Sequence, residues 1–275
     1  MTGAIVMAAP NGARRGKADH PNLPVAIAEI AAEAERCRDA GAAVLHLHVR
    51  DGEGGHSLDA GIYRDAISAV RDRVGDDLVI QATSEAVGIY SAEEQMAMLR
   101  ALKPEAASIG LREILPEGTD EAPVRDFFAW AKDARIWGQI ILYDTADIGR
   151  FIALHETGLF AVATPSVLLV LGRYTAGQRS DPSDLDPMLQ ALRPVRDAVS
   201  WSVCAFGAKE NACMRHALEE GGHVRVGFEN NILRPDGSTA EFTADLVRLV
   251  AETARKAGRP PLDGAGVRAL VAGWF

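Results

Sequence analysis

Short apolar runs rich in β-branched residues alternate with longer amphipathic stretches along this chain, and few folds accommodate that rhythm. The runs read as buried strands and the stretches between them as helices. Strand candidates fall at residues 4–8, 44–50, 78–83, 106–111, 139–143, 160–163 or 167–171, 199–206 and 224–229. The first helical stretch, 25–40, puts Ile27, Ile30, Ala31, Ala34 and Cys37 on one face and meets Gly41, a residue suited to closing a helix. The last long one, 239–257, spaces Phe242, Leu246, Leu249, Val250 and Thr253 helically and stops at Gly258 and the Pro260-Pro261 pair. Eight strand–helix cycles of about 30 residues each are what a (β/α)8 barrel requires. No linker or composition shift divides the chain, so the expected fold class is α/β, a single-domain TIM barrel over residues 1–275 with a short C-terminal helical extension. A doubly wound open sheet is the alternative, and it loses ground because no G-x-G-x-x-G follows the first strand.

With 48% hydrophobic and 24% charged residues, the chain can build one large core and lacks the composition of a disordered protein. A net charge of −9 argues against a general nucleic-acid or anionic-membrane surface, while leaving room for a local basic pocket. Cys37, Cys204 and Cys213 are odd in number and make no C-x-x-C pair, so neither a disulfide framework nor a cysteine zinc site is expected; a reducing, cytoplasmic compartment fits. The stretch AIVMAAP lacks a preceding basic region and reads as the first buried strand rather than a signal peptide. No apolar run approaches the roughly 20 residues of a bilayer-crossing helix.

In such a barrel, chemistry gathers at the carboxyl ends of the strands. Within LHLHVRD, His46 and His48 stand two apart on a predicted strand and therefore share a face. Two imidazoles so placed can reach one metal ion; core histidines bonded to neighbouring carboxylates are the alternative. The candidate third ligand is Glu229 in GGHVRVGFENN, where period two sets Arg225, Gly227 and Glu229 on one face, with Arg225 deeper and Gly227 leaving space between. An arginine inside a barrel is costly unless paired, so Arg225 needs an acidic partner or a bound anion. Two histidines, one carboxylate and an open position describe a catalytic zinc site rather than a closed structural one, although other divalent metals suit the same donors.

The texts APNGARRGKADHPNLP, HLHVRD, QATSEA and GGHVRVGFENN, in that order, resemble the β-keto acid cleavage enzymes, whose named member acts on 3-keto-5-aminohexanoate. The likeness runs from the first strand to RKAGRP, and HLHVRD with GGHVRVGFE is its specific part. The resemblance implies a barrel holding one zinc ion on His46, His48 and Glu229, which converts a β-keto acid and acetyl-CoA to acetoacetate and a new acyl-CoA. In that chemistry the metal is a Lewis acid for the keto and carboxylate oxygens while an enolate forms. The resemblance also implies that Arg225 positions the acid–base group, that Thr83 and Ser108 lie near the reacting carbons, that Asn11 in the first-strand text is a substrate-binding position, and that the protein is a homo-oligomer, dimer or tetramer. Lys209, in FGAKEN after the seventh strand, falls where barrels often bind phosphate and is the candidate for the CoA phosphates; an exposed lysine at a helix start is the alternative.

Two departures from the family pattern concern proton transfer. The family reads Glu-Asp-Asn after strand eight, with the aspartate as general base, whereas this chain has Glu229-Asn230-Asn231, and an amide does not take a proton at neutral pH. The family's glycine pair after strand three is replaced by Glu85-Ala86. Glu85 is therefore expected to supply the missing carboxylate from a neighbouring loop, the alternative being a solvated loop residue. Ile141 stands near where the amino-substrate enzyme carries a carboxylate, with Asp144 beyond it, and an aliphatic side chain cannot hold an ammonium group. A neutral or anionic keto acid is expected instead. Two other functions stay open: a metal-dependent amide or ester hydrolase, which would want a further metal-bridging lysine or histidine, and a barrel that binds keto acid and metal without turnover, its base lost at Asn230.

Overall fold

The computed structural model describes residues 3–275. Eight parallel strands form its centre: β1 (Val6–Ala8), β2 (Val44–Leu47), β3 (Val79–Thr83), β4 (Ala106–Gly110), β5 (Trp137–Leu142), β6 (Ser166–Leu171), β7 (Ser200–Ala205) and β8 (His223–Val226). Each pairs with the next, and β8 returns to β1 in the register Val6 with Val224, Met7 with Arg225 and Ala8 with Val226, so the sheet closes and has no free edge. Of the two alternatives for the sixth strand, the later one forms.

Helices α1 (Ile27–Ala40), α2 (Ala60–Val74), α3 (Ala92–Leu102), α4 (Ala122–Asp133), α5 (Thr145–Glu156), α6 (Leu185–Leu192), α7 (Glu210–Glu219) and α8 (Thr243–Lys256) surround the barrel, and a single helical turn, Leu111–Ile114, precedes α4. Helix α1 buries Ile30, Ala31, Ala34 and Cys37, and Gly41 closes it with φ 107°, donating its N–H to the Arg38 carbonyl. In α8 the buried face runs through Leu246, Val247, Val250, Ala251 and Ala254; Leu249 and Thr253 are half-buried, a small rotation from the expected face. None of the described helices is long and apolar enough to cross a membrane.

A final helix, α9 (Gly264–Ala272), lies at the amino-terminal end of the barrel, where Val267 and Val271 pack with Ile5, Met7, Val44 and Trp137. Trp274 meets Trp137 edge to face at 5.6 Å, and its carbonyl accepts the N–H groups of Ala163 and Thr164. The apolar ending thus docks on its own barrel.

Two departures from the expected strands shape the carboxyl end of the barrel. The run 44–50 is not one strand: β2 ends at Leu47, and Val49–Arg50 pairs antiparallel with His56–Ser57. The run 224–229 stops at Val226 because Gly227 adopts φ 141°, where a Cβ would come within 2.4 Å of the Ala9 carbonyl oxygen. The N–H groups of Asn230 and Asn231 then fold back onto the Gly227 carbonyl at 2.8 and 2.9 Å. Glu229 accordingly reaches the barrel mouth on a turn, not by strand alternation, and Gly227 serves the turn rather than opening space between side chains.

Candidate active site

Three donor atoms converge at the mouth. His46 Nε2 lies 3.1 Å from His48 Nε2 and 3.3 Å from Glu229 Oε2, which is 3.6 Å from His48 Nε2. Zinc bonds of about 2.0–2.2 Å at tetrahedral angles separate ligand atoms by about 3.3–3.6 Å, so one ion fits this triangle. The three donor residues line a cavity that is also bounded by Thr83, Glu85, Ile141, Tyr143 and Arg173.

The imidazole of His46 is oriented from behind. Its Nδ1 lies 2.8 Å from Gln81 Oε1, Gln81 Nε2 donates to Gln139 Oε1 at 3.3 Å, and Gln139 Nε2 donates to Ser202 Oγ at 3.3 Å. The direction of this amide chain makes Nδ1 the protonated nitrogen and leaves the lone pair of Nε2 for the metal. The register of β2 against β3, His46 beside Gln81, builds the first link. Glutamines inside otherwise apolar strands, as in VIQAT and WGQIIL, were the sequence signal that could have found these residues.

Glu229 divides its carboxylate. Oε2 faces the histidines while Oε1 accepts from Arg225 Nη2 at 3.0 Å. Burial pushes this carboxyl up, but the Arg225 guanidinium beside it outweighs burial and holds it well below the usual carboxylate range. Burial also keeps His48 well below its ordinary value, hence neutral and able to ligate. Arg225, 3% exposed, reaches Cys204 Sγ as well at 3.4 Å, so the buried cation has the acidic partner that its position demanded.

Beside this triangle stands Glu85. Its Oε2 is 3.9 Å from His48 Nδ1 and its Oε1 is 3.8 Å from Arg173, both beyond hydrogen-bond reach. Its backbone is held from three sides: the N–H donates to Thr83 Oγ1 (3.1 Å), the carbonyl meets His56 Nε2 (2.8 Å), and the next N–H, of Ala86, donates to Glu113 (3.0 Å). Desolvation first, then repulsion from Glu229 and Glu113, raises the Glu85 carboxyl to about 7. A half-buried, anchored position is not that of a freely solvated loop residue.

The other expected residues are placed unequally. Thr83 Oγ1 lines the cavity and accepts from both the Glu85 N–H and the Ser108 hydroxyl (3.2 Å), so Ser108 lies behind it. Ile141 walls the same cavity with Val170 and Phe206; Asp144 beyond it caps α5 and pairs with Arg112. Asn11 is buried and donates from Nδ2 to the His48 carbonyl at 3.1 Å. Asn230 is fully buried with neither amide atom hydrogen-bonded, and its backbone carbonyl accepts from Gly207 N–H at 3.2 Å. Lys209 is exposed and pairs with Asp181 at 2.5 Å, apart from the cavity walls. Sequence reasoning did not single out Glu210, fully buried beneath the β8 turn, where it accepts from Gly227 N–H and Asn231 Nδ2, each at 3.2 Å.

A sequence profile of the family described as beta-keto acid cleavage enzyme matches residues 4–272. The 3-keto-5-aminohexanoate cleavage enzyme of Acetoanaerobium sticklandii is 29% identical over 97% of both chains. The 3-oxoadipate:acetyl-CoA acetyltransferase of Cupriavidus necator is 26% identical over 97% of this chain and 94% of that one. Among solved structures, apo ObcA superposes with a TM-score of 0.72 at 20% identity, covering 92% of this chain, which spans 66% of that longer protein; this likeness concerns the fold alone. With the profile match running nearly end to end, the chain belongs to the β-keto acid cleavage enzyme family.

Proposed function

We propose that this protein catalyses zinc-dependent acyl exchange, in which a β-keto acid and acetyl-CoA become acetoacetate and the acyl-CoA of the remaining chain. The observation that carries the reading is the convergence of His46, His48 and Glu229 within 3.1–3.6 Å of one another, beside a buried carboxylate at Glu85. Zinc bound there supplies Lewis acidity to the keto and carboxylate oxygens of the substrate. Glu85 takes a proton from the carbon between those groups, since its raised pKa suits proton transfer near neutral pH. The enolate carbon attacks the acetyl thioester, and the CoA thiolate leaves. The thiolate then adds to the original keto carbonyl, the carbon–carbon bond breaks, and Glu85 returns its proton to the acetoacetate enolate. Thr83 Oγ1 already accepts two hydrogen bonds, which leaves its own proton for the substrate. Arg225 keeps Glu229 ionised, and Ile141 favours a non-amino keto acid. Three free, buried cysteines fit a reducing, cytoplasmic compartment, and the family resemblance supports a homo-oligomer.

A hydrolase reading has less support. The residues walling the cavity include no lysine, and the neighbouring His56 directs its Nε2 to the Glu85 carbonyl.

The deciding experiment measures the metal content of purified protein and incubates it with acetyl-CoA and a panel of β-keto acids. Acetoacetate formation dependent on both zinc and thioester is expected. Free acid released without CoA would instead indicate hydrolysis, and stabilisation by keto acid without product would indicate a binding barrel.

A further inference from the structure

We propose that Arg173 forms an anion subsite for a second carboxylate, at the far end of the β-keto acid, so that the preferred substrates are 3-oxo dicarboxylic acids. The inference rests on the acyl-exchange reading and deepens it by naming the substrate class.

Arg173 lies on the loop after β6 and lines two adjoining cavities: the one over the metal donors, and a second walled by Gly12, Arg14, Arg15 and Gln178, with Glu85, Phe206 and Glu229 shared between them. Its side chain is only 14% exposed, and its guanidinium makes no hydrogen bond among the described residues; the Glu85 oxygen at 3.8 Å is too far. The guanidinium lies over the Phe206 ring at 5.3 Å. The guanidinium stands at ion-pair distance from Glu85 without donating a hydrogen bond to it, so its N–H donors are open to a ligand anion entering the cavity. Arg15 differs, donating to the Phe228 carbonyl at 2.7 Å and the Asn230 carbonyl at 3.4 Å. Exposed Arg14 adds positive charge to the same mouth.

The loop holds Arg173 in place. Gly172, at φ 78°, lies so close to Arg179 that a Cβ would approach its carbonyl oxygen to 2.7 Å, and the Thr175 hydroxyl bonds Gly172 and Arg179 carbonyls at 3.0 and 2.7 Å. Such an anchored donor is pre-organised for a ligand.

Two anions belong to the acyl-exchange reaction itself. On the acyl-exchange reading, the carboxylate next to the keto group would be held at the metal donors beside Thr83. The CoA phosphates lie a whole pantetheine arm away from the thioester carbon that must meet the enolate. What remains is an anionic group on the substrate's own chain, reached past the apolar wall of Ile141, Val170 and Phe206, which suits methylene groups.

Calorimetric titration of metal-loaded protein without acetyl-CoA tests this apart from turnover, using 3-oxoadipate and 3-oxohexanoate, which differ by a carboxylate for a methyl. The dicarboxylate is expected to bind wild-type protein about tenfold more tightly or better. The ratio of the two dissociation constants should collapse toward one in Arg173→Gln and recover in part in Arg173→Lys, with circular dichroism confirming folded variants. Equal or tighter binding of 3-oxohexanoate to wild-type protein overturns the subsite, and so does a ratio unchanged in folded Arg173→Gln. Acetyl-CoA is then added. Selective binding with no acetoacetate from either acid sinks the acyl-exchange reading and keeps the subsite; acetoacetate formed without selective binding does the reverse.

Discussion

Two sides of the barrel mouth are built on different terms. On the metal side, His46 is braced through Gln81 and Gln139 to Ser202, and Glu229 is tied to Arg225. On the other side, Glu85 and Arg173 stand 3.8 Å apart without a hydrogen bond between them, and the buried amide of Asn230 has no partner at all. Yet the backbone under Glu85 is pinned by Thr83, His56 and Glu113. On the metal side His46 and Glu229 are thus oriented by partners within the protein, whereas around Glu85 it is the backbone that is fixed while the side chains of Glu85 and Arg173 make no hydrogen bond to each other.

The largest expected effect comes from breaking the metal side. Glu229→Gln or His46→Ala should abolish stoichiometric metal binding and lower kcat/KM by more than about a hundredfold, checked by metal analysis and steady-state kinetics. Glu229→Gln should also lower the melting temperature, because Arg225 is then buried without its carboxylate. Retention of normal turnover in either variant would remove the metal from the mechanism. Next in size, Glu85→Gln should lower kcat by about 10²-fold or more while metal content stays at wild-type level, since it removes the proton acceptor and leaves the ligands alone. Normal turnover in Glu85→Gln would end its role as base and weaken the division drawn between the two sides.

That division also marks how far the sequence could be read. The barrel was legible because strand and helix periods follow from burial, and H-x-H was legible because its two-residue spacing pointed both imidazoles to one place, although only His46 lies within β2 and His48 follows its end. Glu229 was identified by an argument that the turn at Gly227 does not follow: φ 141° ends the strand, and the carboxylate arrives by chain reversal. The anchoring of Glu85 was not legible, because it depends on His56, in a short hairpin strand, and Glu113, in a short helix after β4, which only the closed barrel brings together. Arg173 was visible only as a loop arginine, for its burial under the mouth depends on the packing of Phe206 and the constrained turn at Gly172. Local periodicity carries information about strands and little about which loops meet above them.

A subtler perturbation loosens the metal side without removing a ligand. Gln81→Leu deletes the acceptor that fixes the His46 tautomer and leaves Gln139 without its donor. Metal affinity should fall by about 10–100-fold, the range for removing a ligand's supporting hydrogen bond, with the apo fold intact. Competition against a chromogenic chelator measures it. An unchanged affinity would mean that the strand geometry of β2 alone orients the imidazole.

The smallest effect tests the hinge between the two sides. Glu210 sits behind the turn that carries both Glu229 and Asn230, and its burial raises the carboxyl to about 8, against about 4.3 for an unfolded glutamate. Between those values the folded state holds a proton that the unfolded state has lost, so its contribution to stability is full below about pH 4 and declines as pH rises toward 8. Glu33, Glu85 and Glu113 are also raised, mainly by burial, and contribute slopes of the same sign, so the comparison must be made by variant. Glu210→Gln keeps an acceptor for Gly227 N–H but cannot ionise. Its melting temperature should therefore fall less between pH 5 and pH 8 than that of the wild type, by a few degrees, in parallel thermal melts. A slope as steep as the wild type's would show that Glu210 titrates as an ordinary carboxylate, and that the turn under Glu229 is held by the backbone bonds of Asn230 and Asn231 to Gly227 alone.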